Sequence, residues 1–298
     1  MRRVFVTGAT GFVGRVVIHA LRAHGYTVRC LVRRGSEREL RGLEAIERVE
    51  GDILVRHGLA DGIAGCDAVI HLVGLIREHP AASSTFELVH VQGTQNVLAA
   101  AAAAGARRYV HLSALGTRPE ARSRYHQTKW AAEEAVRASG LAWTIFRPSI
   151  IYGRGDGLVT MLASMIRRLP IVPVLGSGRQ QLQPVAVEQV AEGVAGALAT
   201  PETVKHAYEV GGPERVSMLE LLDRIGEALG RSRVLKAHVP LGLVRPMARL
   251  LHPLPFFPVT PDQLLMLDEP NTCDPTPFFT AFGMTPIPLT VGLRAMLP

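Results

Sequence analysis

"TGATGFVG", Thr7 to Gly14, follows a short apolar run, "RVFV" (Arg3 to Val6), and leads into Phe12 to Ala23, where apolar residues recur at helical spacing. Gly8, Gly11 and Gly14 stand three apart. Between a strand and a helix that spacing has a mechanical reading. Gly8 allows the sharp turn, Gly11 lets the backbone approach a pyrophosphate, and Gly14 lets the helix pack closely on the sheet. The helix N-terminus then faces the negative charge. Thr10, Phe12 and Val13 fall in the same turn and complete the expected dinucleotide cradle.

Outward from the cradle, β-rich runs alternate with helical patterns. "TVRCLV" is the second strand, "ERVEGD" closes a third, and "DAVIHLVG" (Asp67 to Gly74) is a buried fourth, with Leu72 and Val73 at its end. Thr85 to Ala104 reads as one long Ala-rich helix stopped by Gly105. "RYVHLS" and "AWTIFRP" are two further strands, joined by a helix that carries Tyr125 and Lys129. Strands alternating with long helices predict an α/β fold, a doubly wound parallel sheet of the Rossmann type. After about Gly153 the chain turns irregular and proline-rich. The expected organisation is a cofactor-binding core over 1–153 and a smaller substrate or partner lobe over 154–298, with segments returning to the core.

The cofactor is read from the end of the second strand. An NAD site places an acid there for the ribose 2′-hydroxyl. This chain has "LVRRGSE", with Val32 where the acid would stand and Arg33 and Arg34 after it. Guanidinium groups suit a 2′-phosphate through charge and forked hydrogen bonds, so NADP (NADPH) is favoured, with NAD as the alternative.

Bulk composition removes several function classes. The 298 residues carry a net charge of +7, with 47% hydrophobic and 20% charged residues, as in an ordinary globular protein. A basic balance fits anionic partners, but the cations are dispersed in pairs such as Arg107-Arg108 and Arg167-Arg168, so no nucleic-acid partner is expected. Cys30, Cys66 and Cys273 have no metal-ligand spacing, so no metal is expected, and they read as buried thiols in a reducing compartment. "MRRVFVTG" enters a strand at once, and no uncharged run reaches about 18 residues. A cytoplasmic protein, at most peripheral to a membrane, is the expectation; the oligomeric state is open.

"SRYHQTKW" (Ser123 to Trp130) sets Tyr125 and Lys129 four apart, on one helix face. Lysine is scarce in this chain: only Lys129, Lys205 and Lys236 occur among 33 basic residues. The pair reads as a proton donor and its tuning cation, with a surface aromatic and an ordinary lysine as the alternative. A free phenol titrates near about 10, and a neighbouring ammonium is expected to lower that value.

These stretches together resemble the short-chain dehydrogenase/reductase superfamily, in its extended and atypical branches, over nearly the full length. "TGATGFVG", "GDI" (Gly51 to Ile53), "HLVG", "VHVQGTQNVL", "HLSALG", "YHQTK", "RPSIIYG" (Arg147 to Gly153) and "QPVAVEQVA" carry the likeness. "SALG", the short gap before "YHQTK" and "WTIFRPS" point to the atypical group that includes the nucleotide-binding accessory subunit of respiratory complex I and NmrA-like proteins. The resemblance implies that Asp52 and Ile53 lie by the adenine and that Lys129 holds the nicotinamide ribose. It also implies that Pro148 and Ser149 flank the nicotinamide and that Tyr125 and Ser113 act on a substrate carbonyl. Two departures accompany it: His90 stands where the extended branch has Asn, and Ala114 competes with Ser113 for the serine position. An NADPH-dependent oxidoreductase, or an epimerase or dehydratase working through a transient ketone, is one implication. A non-catalytic NADPH-binding module associated with respiratory or quinone metabolism is the other.

One stretch of the lobe is strongly apolar, "VPLGLVRPMARLLHPLPFFPV" (Val239 to Val259), with Arg245 and Arg249 at i, i+4 and Phe256 and Phe257 between prolines. It reads either as a helix closing the lobe's core or as a receiver of a lipophilic small-molecule substrate, with contact to a membrane surface or a respiratory complex.

Overall fold

The computed structural model describes residues 2–43, 45–79, 82, 84–251, 259–269 and 271–297. Phe256 and Phe257 lie outside them. The cofactor-side half contains β1 (Arg3–Thr7), α1 (Phe12–Ala23), β2 (Thr27–Val32), β3 (Glu47–Glu50), α2 (Leu59–Ile63) and β4 (Ala68–His71). It continues through α3 (Gly93–Ala103), β5 (Arg108–Leu112), α4 (Arg124–Ala138) and β6 (Ala142–Pro148). β7 (Ile151–Tyr152), α5 (Leu158–Arg168), β8 (Val172–Leu175), β9 (Gln181–Leu182), β10 (Val185–Ala186) and α6 (Val187–Gly196) follow, then β11 (His206–Val210), β12 (Val216–Ser217), α7 (Met218–Ala228) and β13 (Lys236–Val239). The last helices are α8 (Leu241–Leu251), α9 (Pro261–Met266), α10 (Thr276–Ala281) and α11 (Leu289–Met296).

Seven strands form one sheet in the order β11-β6-β5-β4-β1-β2-β3, every neighbouring pair parallel. Alternation along β1 shows why. Val4 and Val6 enter the core that α1 and α6 cover, while Phe5 enters the opposite core under α3 and α4. A strand with apolar residues on both faces is stable only between two helical layers. The strand order reverses between β1 and β4, so their C-terminal ends open a crevice. The sheet is a doubly wound Rossmann-type fold.

One expected element differs. The stretch read as a single helix from Thr85 begins with a π-helical turn over Glu87–Gln92, and regular helix starts only at Gly93. His90 sits in that wide turn with both ring nitrogens bonded outside it, the kind of place where such turns are retained.

The remaining segments build a second core from Tyr152, Leu162, Ile166, Val174, Leu221 and Leu293, among others. Three pieces return to the sheet: α6 covers one face beside α1, β11 extends it beside β6, and α10 sets Phe278 edge-on to Phe146 with ring centroids 6.0 Å apart. α8 and α9 form a small separate cluster around Val244, Ala248 and Leu264. Among the described residues no helix is long and apolar enough to cross a membrane.

Candidate functional site

The cradle lies between the end of β1 and α1. Gly8 has a φ of +76°, and a Cβ there would stand 2.9 Å from the Leu72 carbonyl carbon, so glycine permits both the turn and its contact with the end of β4. A Cβ on Gly14 would lie 2.1 Å from the Gly8 carbonyl oxygen. Gly14 therefore lets α1 lie directly against the backbone that leaves β1. Gly11 is exposed, Thr10, Phe12 and Val13 are half-buried, and the Gly11 N–H donates to Gly8 O at 3.1 Å. α1 has no side-chain cap and no acid in its first turn, so its leading N–H groups present unneutralised positive ends. Below it, the His71 ring bridges Thr7 Oγ1 (2.6 Å) and Thr94 Oγ1 (3.1 Å), and burial holds its pKa down at about 3.

Arg33 and Arg34 follow β2 on the surface, both exposed. Their turn also holds Glu37. Hydrogen bonds from its own backbone and from Gly35 N–H (3.0 Å) keep that carboxyl below its usual range, and Arg34 and Arg38 add to the effect. Asp52 Oδ1 accepts from Leu54 N–H at 2.9 Å, and Ile53 is buried against Gly93. Asn96, which the sequence reading missed, donates from its side-chain amide to Ile53 O at 2.9 Å and fixes this loop to α3. Leu72 and Val73 are half-buried at the end of β4, where Leu72 N–H continues the ladder to Thr7 O at 3.1 Å.

The other end of the crevice is built from buried side chains. Lys129 is 4% exposed, and its ammonium donates to Leu112 O at 3.0 Å. A Cβ on Gly74 would stand 2.9 Å from Lys129 Nζ, so the amine lies against the loop after β4. Ser113, next to the gripped Leu112, is buried; its backbone N–H donates to Phe146 O at 2.7 Å, while Oγ has no partner among the described residues. Ala114 is buried beside it and offers no polar atom. Pro148 O accepts from Leu115 N–H at 2.9 Å, which ties the two strand ends together. Ser149, expected to flank a nicotinamide, directs its hydroxyl to the side-chain oxygen of Asn271 in the lobe.

Tyr125 lies edge-on to His126, His90 and Phe86, with centroids 5.0, 5.4 and 5.9 Å away. Burial pushes its phenol up to about 12, and burial also brings Lys129 down to about 8 against the pull of Glu133. The expected lowering of the phenol by the ammonium is therefore corrected: among this chain's own groups, desolvation decides the direction. At neutral pH Tyr125 is protonated.

His90 has two anchoring bonds. Nε2 accepts from Leu75 N–H at 3.1 Å, which leaves the proton on Nδ1 to donate to Thr128 Oγ1 at 2.9 Å. The Thr128 hydroxyl in turn donates to the backbone carbonyl of Arg124 at 2.9 Å. His90 thus joins the loop after β4 to the helix of Tyr125. Other tethers are equally non-local. Asp262 on α9 accepts from the Arg124 and Tyr125 backbone N–H groups at 2.7 and 3.2 Å, capping α4 from across the molecule. Glu133, fully buried, accepts from Arg147 at 2.9 and 2.6 Å and from Arg137 at 2.5 Å, joining α4 to β6. Glu269 accepts from Arg122 N–H at 2.6 Å and pairs with Arg118 at 2.5 Å. Between these anchors a cleft of about 520 Å³ is lined by Arg122, Gln181, Asp268, Glu269, Asn271 and Thr272. Asp262, Glu269 and Asn271 meet partners more than 100 positions away, which leaves no local pattern, so they were not legible in sequence.

Ceramide reductase of Caulobacter vibrioides is 37% identical over 199 residues, spanning 66% of this chain and 61% of that protein. The mitochondrial NADH dehydrogenase 1 alpha subcomplex subunit 9 of Arabidopsis thaliana is 29% identical over 277 residues, spanning 89% of this chain and 68% of that protein. The solved UDP-glucuronic acid 4-epimerase of Bacillus cereus, in complex with NAD, superposes with a TM-score of 0.80 over 99% of this chain and 97% of that one, at 18% identity, a likeness of fold alone. Residues 4–211, the sheet together with its crevice, match the NAD dependent epimerase/dehydratase family, and the chain belongs to that family within the extended short-chain dehydrogenase/reductases.

Proposed function

We propose that this chain is an NADP(H)-dependent reductase of a lipophilic carbonyl or quinone-like compound. The observation that carries the proposal is the Ser113 hydroxyl. It is buried with no partner among the described residues on the strand end that Lys129 grips, and Lys129 stands one turn along α4 from a protonated Tyr125.

The residues present fit a dinucleotide. The cradle is one that a Cβ at Gly8 or Gly14 would fill, and the uncapped start of α1 suits a pyrophosphate. Arg33 and Arg34 favour a 2′-phosphate, and Gly8, Thr10, Gly11, Phe12 and Val13 would hold the pyrophosphate side. Asp52, Ile53, Leu72 and Val73 would line the adenine side, with Pro148 and Ser149 at the far end. A nicotinamide bound there would supply the hydride. Tyr125 gives its proton to the substrate oxygen, Ser113 orients that oxygen by hydrogen bonding, and Lys129 holds the ribose side and offsets the charge left on the phenol. Residues 1–153 then bind the cofactor, and 154–298 mostly shape the substrate side. The name of the Caulobacter relative, ceramide reductase, supports a lipophilic substrate.

The test is NADPH oxidation across long-chain ketones, quinones and sugar nucleotides, comparing wild type with Tyr125→Phe. Turnover should fall by about 10²–10⁴-fold in the variant while NADPH binding persists. Full activity in Tyr125→Phe would refute the proton-donor role. Activity should also decline as pH rises through about 8, where Lys129 loses its charge.

A second reading, a non-catalytic NADPH-binding module of a respiratory assembly, is favoured by the similarity to the complex I subunit over 89% of the chain and by the Ser149–Asn271 bond. Tight NADPH binding with no turnover in any assay, unchanged by Tyr125→Phe, would select it.

A further inference from the structure

α8 has three different faces. Val244 and Ala248 are buried against Leu264 of α9 and against Leu175, Val239 and Leu267. Leu243, Met247 and Leu250 form a second stripe at i, i+4, i+7, within an arc of about 60°. They are 62%, 50% and 78% exposed, and Leu250 and Leu243 are the two most exposed large apolar side chains among the described residues. Arg245 and Arg249 occupy the third flank, both exposed. A stripe of this kind on an open helix face marks an interaction surface rather than scattered surface leucines.

The charge around it selects the partner. Between Glu227 and Asp262 the chain contains no acidic residue, yet it places Arg231, Arg233, Lys236, Arg245 and Arg249 there. Lys236 pairs with Asp223 and Arg245 with Asp268, both acids from outside the segment, and the segment keeps a surplus of positive charge. The same segment continues in sequence past Leu251 with Leu254, Phe256, Phe257 and Val259. Leucine and methionine on one face, arginine stems that can reach sideways, and a segment with more cations than its neighbouring Asp223 and Asp268 neutralise are the features of an interfacial helix on an anionic bilayer.

We propose that α8 docks this protein onto an anionic phospholipid bilayer and that the docked face brings the crevice to a lipophilic substrate. The second half rests on the reductase reading above. The path between the two is short: α8 packs on α9, and Asp262 of α9 holds the backbone N–H groups of Arg124 and Tyr125. The membrane-facing helix is thus one helix removed from the one that carries the phenol.

Vesicle flotation tests docking without any turnover, so its outcome is separate from the reductase assay. Wild type should float with phosphatidylcholine vesicles containing phosphatidylglycerol, float far less with pure phosphatidylcholine, and be released by high salt. The double variant Met247→Glu/Leu250→Glu should lose flotation at least about tenfold while keeping its melting temperature and NADPH affinity, since both side chains are exposed. If docking feeds the site, that variant should lose reduction of bilayer-embedded ketones but keep reduction of a water-soluble short-chain ketone. Failure of wild type to float on anionic vesicles, or equal flotation on neutral ones, overturns the proposal. So does conversion of a wild-type dimer to monomer by the double variant, which would assign the stripe to a second copy of the chain.

Discussion

The two ends of the crevice are built on opposite plans. The cradle end is almost all backbone: glycines whose missing Cβ atoms make room, an uncapped helix start, and two arginines in solvent. The Tyr125–Lys129 end is built from side chains, with Lys129 and Glu133 buried, and it is tethered from elsewhere in the chain by His90, by Arg147 of β6 through Glu133, by Asp262 and by Glu269. A backbone cradle needs only local spacing and can stay open to its ligand. A reacting phenol and amine need fixed positions and a dry setting, which only distant parts of the chain can supply together.

The largest expected effect lies at the buried end. Glu133→Ala leaves Arg147 and Arg137 facing each other without their carboxylate and should destabilise the fold by roughly 3–5 kcal/mol in denaturant unfolding. Loss of less than about 1 kcal/mol would show that this end is not held by that cluster.

At the cradle end the contrast should invert. Arg33→Ala should leave stability unchanged, because the side chain is exposed, yet weaken NADPH binding by about 1.5–3 kcal/mol with little change for NADH. Equal losses for both cofactors in a fluorescence titration would remove the 2′-phosphate assignment.

His111 sharpens the comparison from another side. It is buried beneath the side-chain end, stacked on His71 at 5.5 Å, with neither ring nitrogen bonded among the described residues. His111→Phe should therefore stabilise the protein by about 1–3 kcal/mol. Burial holds this imidazole well below the ordinary histidine value of 6.5, so the unfolded chain takes up the proton first as pH falls. The wild type's stability is then present above about 6.5 and lost progressively below it, and the variant's acid-side decline should be shallower. Melting temperatures from pH 8 to pH 5 would show parallel curves if this is wrong.

The smallest effect concerns the distant cap. Asp262→Ala should cost about 0.5–2 kcal/mol of stability, the range for a lost N-terminal cap. It should also lower turnover more than it weakens NADPH binding, since the amides it holds belong to Arg124 and Tyr125.

The first six strands of the sheet, the glycine cradle, the arginines after β2 and the pairing of Tyr125 with Lys129 on one helix were legible because each is a short-range pattern, whereas β11, which joins the sheet from the part read as irregular, was not. Two-residue alternation, a three-residue glycine spacing and an i, i+4 pair are properties of local backbone geometry, and these sequence patterns determined the α/β sheet and its crevice. Other features depended on residues far apart in sequence. Asp262 caps a helix 137 positions away, Ser149 turns to Asn271, and His90 reaches both Leu75 and Thr128 from a π-helical turn that no periodicity announces. The phenol's ionisation belongs with them. Spacing put an ammonium one turn from Tyr125, but burial of the phenol by the layers packed around it, which spacing does not reveal, is what pushes its ionisation up.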